Sequence, residues 1–177
     1  TVTQCRMTGT GPEYIKMRNR TLQVLYGAGF ADSNPTRLAL GINPITVWNI
    51  REALAVYKWA RARNLYAVVT PTMVSGRMKG DNWKAITPDA DQLVKLYTDI
   101  YMYNIETGLT SFDCLSHEGV SAYAGGRPCN QIGSGLYVTL TGIVLSCPGC
   151  EESVVGSVWD ASLKDIWLDS RNIQYKG

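Results

Sequence analysis

The sequence predicts an α/β fold followed by a small cysteine-rich unit, and three observations carry that prediction. Two short, mostly apolar runs at residues 36–42 and 65–72 flank a stretch of helical periodicity. A longer amphipathic stretch follows from about residue 87 to Gly108. Beyond Gly108 the texture changes: glycines break the chain into short pieces, and four of the five cysteines gather there. Residues 1–108 therefore read as one domain and 109–177 as a second. A chain of 177 residues accommodates two such units and hardly three.

The first helix is predicted over 13–26, where Ile15, Leu22, Leu25 and Tyr26 keep near-helical spacing and Gly27 and Gly29 stop it. The run TRLALGI at 36–42, bounded by Asn34-Pro35 and Asn43-Pro44, reads as a buried strand. Asn49 with Glu52 three residues later resembles an N-terminal cap. Ile50, Ala53, Leu54, Tyr57 and Ala60 then share one helical face as far as Asn64. LYAVVTPT at 65–72 is the next strand, and two strands joined through a helix imply a right-handed crossover with parallel pairing. Residues 73–86 read as a loop at the carboxyl end of that strand, the place where α/β proteins bind ligands. Thr87 and Pro88 open the next helix, with Leu93, Leu96, Tyr97, Ile100 and Tyr101 on its apolar stripe. In the last third, 136–140 and 143–145 flank Thr141-Gly142 as a tight β-hairpin in which Gly142 takes a positive φ. Residues 162–167 form a short helix with Leu163, Ile166 and Trp167 on one side.

Composition excludes several classes. Hydrophobic residues at 45% and charged residues at 18% describe a chain that folds. Net charge is +2 with no basic run, which gives nucleic-acid binding no support. No apolar stretch approaches the roughly 20 residues that cross a bilayer, so no membrane partner is expected and the reading is of a soluble, cytoplasmic protein. The chain opens at Thr1 without a secretory pattern, and the expectation is that it is processed or incomplete.

Cys114, Cys129, Cys147 and Cys150 follow one another at separations of 15, 18 and 3 residues. A hairpin entered after Cys129 and left at Cys147 brings those two thiolates to the same end, Cys147-Pro-Gly-Cys150 supplies a third, and Cys114 completes four. Deprotonated sulfur is the ligand that iron and zinc select, and either an iron-sulfur cluster or tetrahedral zinc accepts Cys-x-x-Cys. Cys5 and His117 are the alternatives for the fourth position. A thiol-disulfide redox role for Cys147 and Cys150 would call for a helix N-terminus at the first cysteine.

The pattern Cys-x12-Gly-x4-Cys within 129–147, then Val155-Gly156-Ser157-Val158 and Ser162-Leu163-Lys164-Asp165-Ile166-Trp167, resembles the auxiliary iron-sulfur domain, of SPASM or twitch type, of radical S-adenosylmethionine enzymes. TRLALGI, the helix containing WARARN, and LYAVVTPTMVSGR are similar to the last strands and helices of that superfamily's partial (β/α) barrel. The resemblance implies the C-terminal half of such a barrel at 1–108 and a twitch-like domain at 109–177. It implies an auxiliary 4Fe-4S cluster on Cys114, Cys129, Cys147 and Cys150, for electron transfer or substrate binding. It also implies S-adenosylmethionine beside Ser75, Gly76 and Arg77, with Asn43 as a second contact, and a peptide or protein substrate together with an electron donor. No Cys-x3-Cys-x2-Cys occurs in the chain. In the family that motif holds the cluster that cleaves S-adenosylmethionine, so that cofactor and a second 4Fe-4S cluster are expected only with an N-terminal part. The chain alone is expected to be an inactive fragment. The alternatives are a zinc-stabilised interaction module and an electron-transfer subunit without S-adenosylmethionine chemistry.

Overall fold

The computed structural model describes residues 2–72, 82–118 and 135–170. Among them, 2–72 and 84–118 belong to one unit, and 82–83 with 135–170 to a second. The fold mixes helix and strand, and among the described residues no barrel forms.

The first unit begins with two helices, α1 (Val2–Thr8) and α2 (Pro12–Gly27). Pro12 occupies the first turn of α2, where its missing N–H costs nothing. Strand β1 (Ala39–Ile45), helix α3 (Ile50–Arg61) and strand β2 (Tyr66–Pro71) follow as the predicted crossover. β1 and β2 pair in parallel, with Ala39 opposite Tyr66 and Ile42 opposite Val69. β1 runs past the boundary expected at Asn43-Pro44. The register shifts between Ile42 and Ile45, and such an irregularity is where a strand tolerates proline.

The face of α3 that the periodicity selected is the buried one: Ala53, Tyr57 and Ala60 are all at or below 1% exposure. They pack with Ile42, Ile45, Ala67 and Val69 of the sheet, and with Leu96 and Ile100 of α5 (Ala90–Glu106). The Tyr57 hydroxyl donates to Asn104 Oδ1 at 2.9 Å, so the one polar tip on this face reaches a partner within the core. Tyr57 and Tyr103 meet edge to face with ring centroids 6.1 Å apart.

The helix starts differ in chemistry from the expectation. Asn49 stands before α3 but makes no side-chain cap. Its Oδ1 accepts from the Thr46 N–H at 2.7 Å and its Nδ2 donates to Pro44 O, so the side chain braces the end of β1 instead. α5 starts at Ala90 rather than at Pro88, because Asp89 and Gln92 form a reciprocal capping box. A short α4 (Asn82–Ile86) precedes it inside the stretch expected to be loop, and α6 (Phe112–Glu118) follows. α1 was not anticipated. It is tied down by Thr3 Oγ1, which donates to Glu52 Oε1 at 2.9 Å, and by Arg6 stacked over Trp48.

The second unit is a three-stranded antiparallel sheet of β3 (Tyr137–Val138), β4 (Ile143–Leu145) and β5 (Val154–Ser157), with α7 (Leu163–Ser170). The hairpin turns at Thr139–Gly142, where the Gly142 N–H donates to Thr139 O and φ is +83°. Of the three side chains expected on the inner side of the last helix, Ile166 is buried and Leu163 is half exposed. Ile166 lies over Gly156, where an added Cβ would come within 3.0–3.3 Å of its side chain.

Candidate metal centre

β4 delivers the chain into the Cys147-Pro-Gly-Cys150 turn, and the turn returns it to β5. The Cys150 N–H donates to Cys147 O at 3.3 Å, closing a four-residue turn with one thiol at each end. Both cysteines are free and half-buried. The Gly149 N–H donates to Cys147 Sγ at 3.4 Å, inside the turn. Cys150 Sγ lies 3.5 Å from Glu152 Oε2.

Ser153 holds this turn, and sequence reasoning did not single it out. Its Oγ donates to Cys150 O at 2.6 Å and lies 3.2 Å from Cys147 O, while it accepts from the Cys147 N–H at 3.2 Å. The Ser146 N–H donates to Ser153 O at 2.9 Å, joining β4 to β5 immediately beside the turn. A serine three residues after Cys-x-x-Cys was the available signal, since short hydroxyl side chains bond nearby backbone in turns.

The other candidates are placed as follows. Cys114 lies in α6, half-buried, with its N–H on Ser111 Oγ at 3.1 Å. His117 lies on the same helix and is exposed, and Cys5 is half-buried in α1. These three belong to the first unit and Cys147 and Cys150 to the second. Asn43 is exposed on β1. Cys129, Ser75, Gly76 and Arg77 lie outside the described residues. Among the described residues no three His, Cys, Asp or Glu side chains converge as a metal group, and the turn contributes two thiols. Two free thiols on one turn, with a backbone N–H on a sulfur, fit one half of a four-thiolate site.

No protein-family model, no curated protein and no solved structure matches this chain.

Proposed function

We propose that the second unit holds a thiolate-ligated metal centre, with Cys147 and Cys150 as two ligands and Cys129 as the third. The observation that carries this reading is the braced Cys147-Pro-Gly-Cys150 turn, in which both thiols are free and Ser153 ties together the backbone on either side. The small core supports it too. Among the described residues of this unit the buried apolar side chains are Val144, Leu145 and Ile166, and a unit with so little to bury gains from a metal.

The metal we favour is an auxiliary 4Fe-4S cluster, with Cys114 as fourth ligand and Cys5 or His117 as alternatives. The resemblance to SPASM and twitch domains, and the parallel β1-α3-β2 crossover upstream, support this choice. On that reading the chain is the C-terminal portion of a cytoplasmic radical S-adenosylmethionine enzyme acting on a peptide or protein. Asn43, Ser75, Gly76 and Arg77 would face the cofactor, and a separate electron donor would serve the enzyme. The cluster would supply one-electron chemistry or an open iron for substrate. No helix among the described residues is long and apolar enough to cross a membrane.

A structural zinc on the same cysteines is the second reading, and the small core of the unit favours it equally. Colour separates the two. Protein purified without oxygen is brown with broad visible absorption if it holds iron and sulfide, and colourless if it holds zinc. Colourless protein that carries zinc would overturn the cluster reading and keep the thiolate site. Colourless protein without metal would overturn both.

A further inference from the structure

The Cys147-Pro-Gly-Cys150 turn also sets its two thiols as partners for each other. Closure by the Cys150 N–H on Cys147 O is that of a β-turn, which keeps the first and last Cα within about 7 Å, and a disulfide spans Cα separations of about 4.4–6.8 Å. The Gly149 N–H donates to Cys147 Sγ, so this sulfur lies folded over the turn rather than away from it. Both cysteines are free and partly exposed, and among the described residues they are the cysteines of the second unit.

The surroundings fix the backbone and leave the sulfurs to move. Ser153 Oγ accepts from the Cys147 N–H, the Ser153 N–H donates to Cys150 O at 3.1 Å, and β4 and β5 pair on either side. A bond between the sulfurs therefore needs side-chain rotation and small adjustments of the turn, with the strands in place. Cys147 follows β4 and opens a turn, not a helix, so it lacks the helix N-terminus that suits a thiol to repeated turnover. A switch that changes state once per event does not require that setting.

We infer that Cys147 and Cys150 form a reversible disulfide with each other when they meet a low-molecular-weight disulfide such as oxidised glutathione, and that this bond closes the site to metal. One thiolate attacks a sulfur of the small disulfide, forming a mixed disulfide and releasing one thiol. The other thiolate attacks the protein sulfur of that mixed disulfide, forming the Cys147 Sγ–Cys150 Sγ bond and releasing the second thiol. The two cysteines give up two electrons and two protons, and the small disulfide takes up both as two thiols. Metal sites select deprotonated sulfur, so the bond withdraws two ligands at once. A disulfide closing so short a loop contributes less stability than one closing a long loop, which keeps it open to reduction. This gate rests on the metal reading above.

The test starts from the full chain, metal-free and reduced, equilibrated without oxygen in glutathione buffers of increasing oxidised fraction. Mass spectrometry of the intact protein should show the loss of two hydrogen atoms, and peptide mapping should place the bond between Cys147 and Cys150. Cys129→Ser should form the same bond, whereas Cys150→Ser should stop at a glutathione adduct on Cys147. After removal of glutathione, the oxidised protein should bind cobalt(II) roughly a hundredfold more weakly than the reduced protein, and dithiothreitol should restore binding. The mapping uses wild-type protein, so it decides the matter even if a variant fails to fold. A bond to another cysteine, a mixed disulfide that persists in wild type, or oxidised protein that binds cobalt as well as reduced protein would overturn the gate and leave the metal reading standing. Reduced protein that takes up no cobalt would overturn the metal reading and the gate with it, whether or not the disulfide forms.

Discussion

The indole of Trp159 lies across Gly142, donating from Nε1 to Thr141 O at 2.9 Å and leaving no room for a Cβ, which would fall 2.9 Å from the ring carbon Cδ1. Gly142 also has φ +83°, a conformation that side chains resist. Gly142→Ala should therefore destabilise the hairpin unit by about 1–3 kcal/mol through strain and collision together. In a Trp159→Ala background the collision is gone and only the φ penalty remains. Urea titrations of the four proteins should show the glycine substitution costing less in that background. Equal costs would mean the indole does not press on this turn.

The Tyr57–Asn104 bond is the polar point of the first unit's core. Tyr57→Phe leaves a buried amide oxygen without its donor and should cost about 1–3 kcal/mol in urea denaturation. Burial, the largest cause, pushes the Tyr57 hydroxyl above its usual range, and the Asn104 hydrogen bond opposes this in part. The folded state therefore holds the proton more tightly than the unfolded chain. The resulting stability is complete below the unfolded value near pH 10 and is lost as pH rises toward the folded value. Unfolding midpoints measured from pH 8 to 11 should fall above about pH 10. That fall should be shallower in Tyr57→Phe, and an equal fall in the two proteins would contradict the assignment to Tyr57.

Asp89 and Gln92 satisfy each other's backbone N–H groups at the start of α5. Asp89→Ala should cost about 1 kcal/mol and Asp89→Ser much less, since serine also caps. Thermal melts followed by circular dichroism read this difference, and equal melts for wild type and Asp89→Ala would contradict the assigned start.

Ser153 should matter to metal affinity without being a ligand. Ser153→Ala removes the hydroxyl that spans both sides of the cysteine turn and should weaken binding about tenfold, in the range seen for residues that position ligands. Cobalt(II) titration of the metal-free protein, followed by sulfur-to-cobalt charge-transfer absorption, measures the affinity. Its spectral shape should stay the same in Ser153→Ala, whereas Cys150→Ser should change it. Ser153→Thr should recover most of the affinity.

Much of this was readable from residue patterns, and the failures have physical causes. The α3 face and the hairpin turn were legible because Ala53, Tyr57 and Ala60 repeat at helical spacing and Thr141-Gly142 carries turn chemistry. The end of β1 was misjudged because Asn43-Pro44 reads as a stop, while the register shift lets the strand continue to Ile45. The start of α5 differs from the expectation because Pro88 suits a first helical turn, yet the Asp89 and Gln92 side chains satisfy more backbone donors with the helix starting two residues later, at Ala90. α1 escaped because VTQCRMT has no apolar stripe and is held by Thr3 and Arg6 contacts to residues some 40 or more positions away. At the candidate site the Cys147–Cys150 turn was legible from spacing. The spacing of Ser153 after Cys150 marks a hydroxyl near the turn, but which backbone groups it bonds follows from the turn's shape.

The central claim is that Cys147 and Cys150 hold a metal. The most direct measurement is the iron, sulfide and zinc content of the full chain purified without oxygen, compared with the Cys147→Ser/Cys150→Ser double variant. The account predicts roughly four irons and four sulfides per wild-type chain and near-complete loss in the double variant, with Cys5→Ser retaining the metal. Wild-type protein without bound metal, or a double variant that keeps its full content, would contradict it.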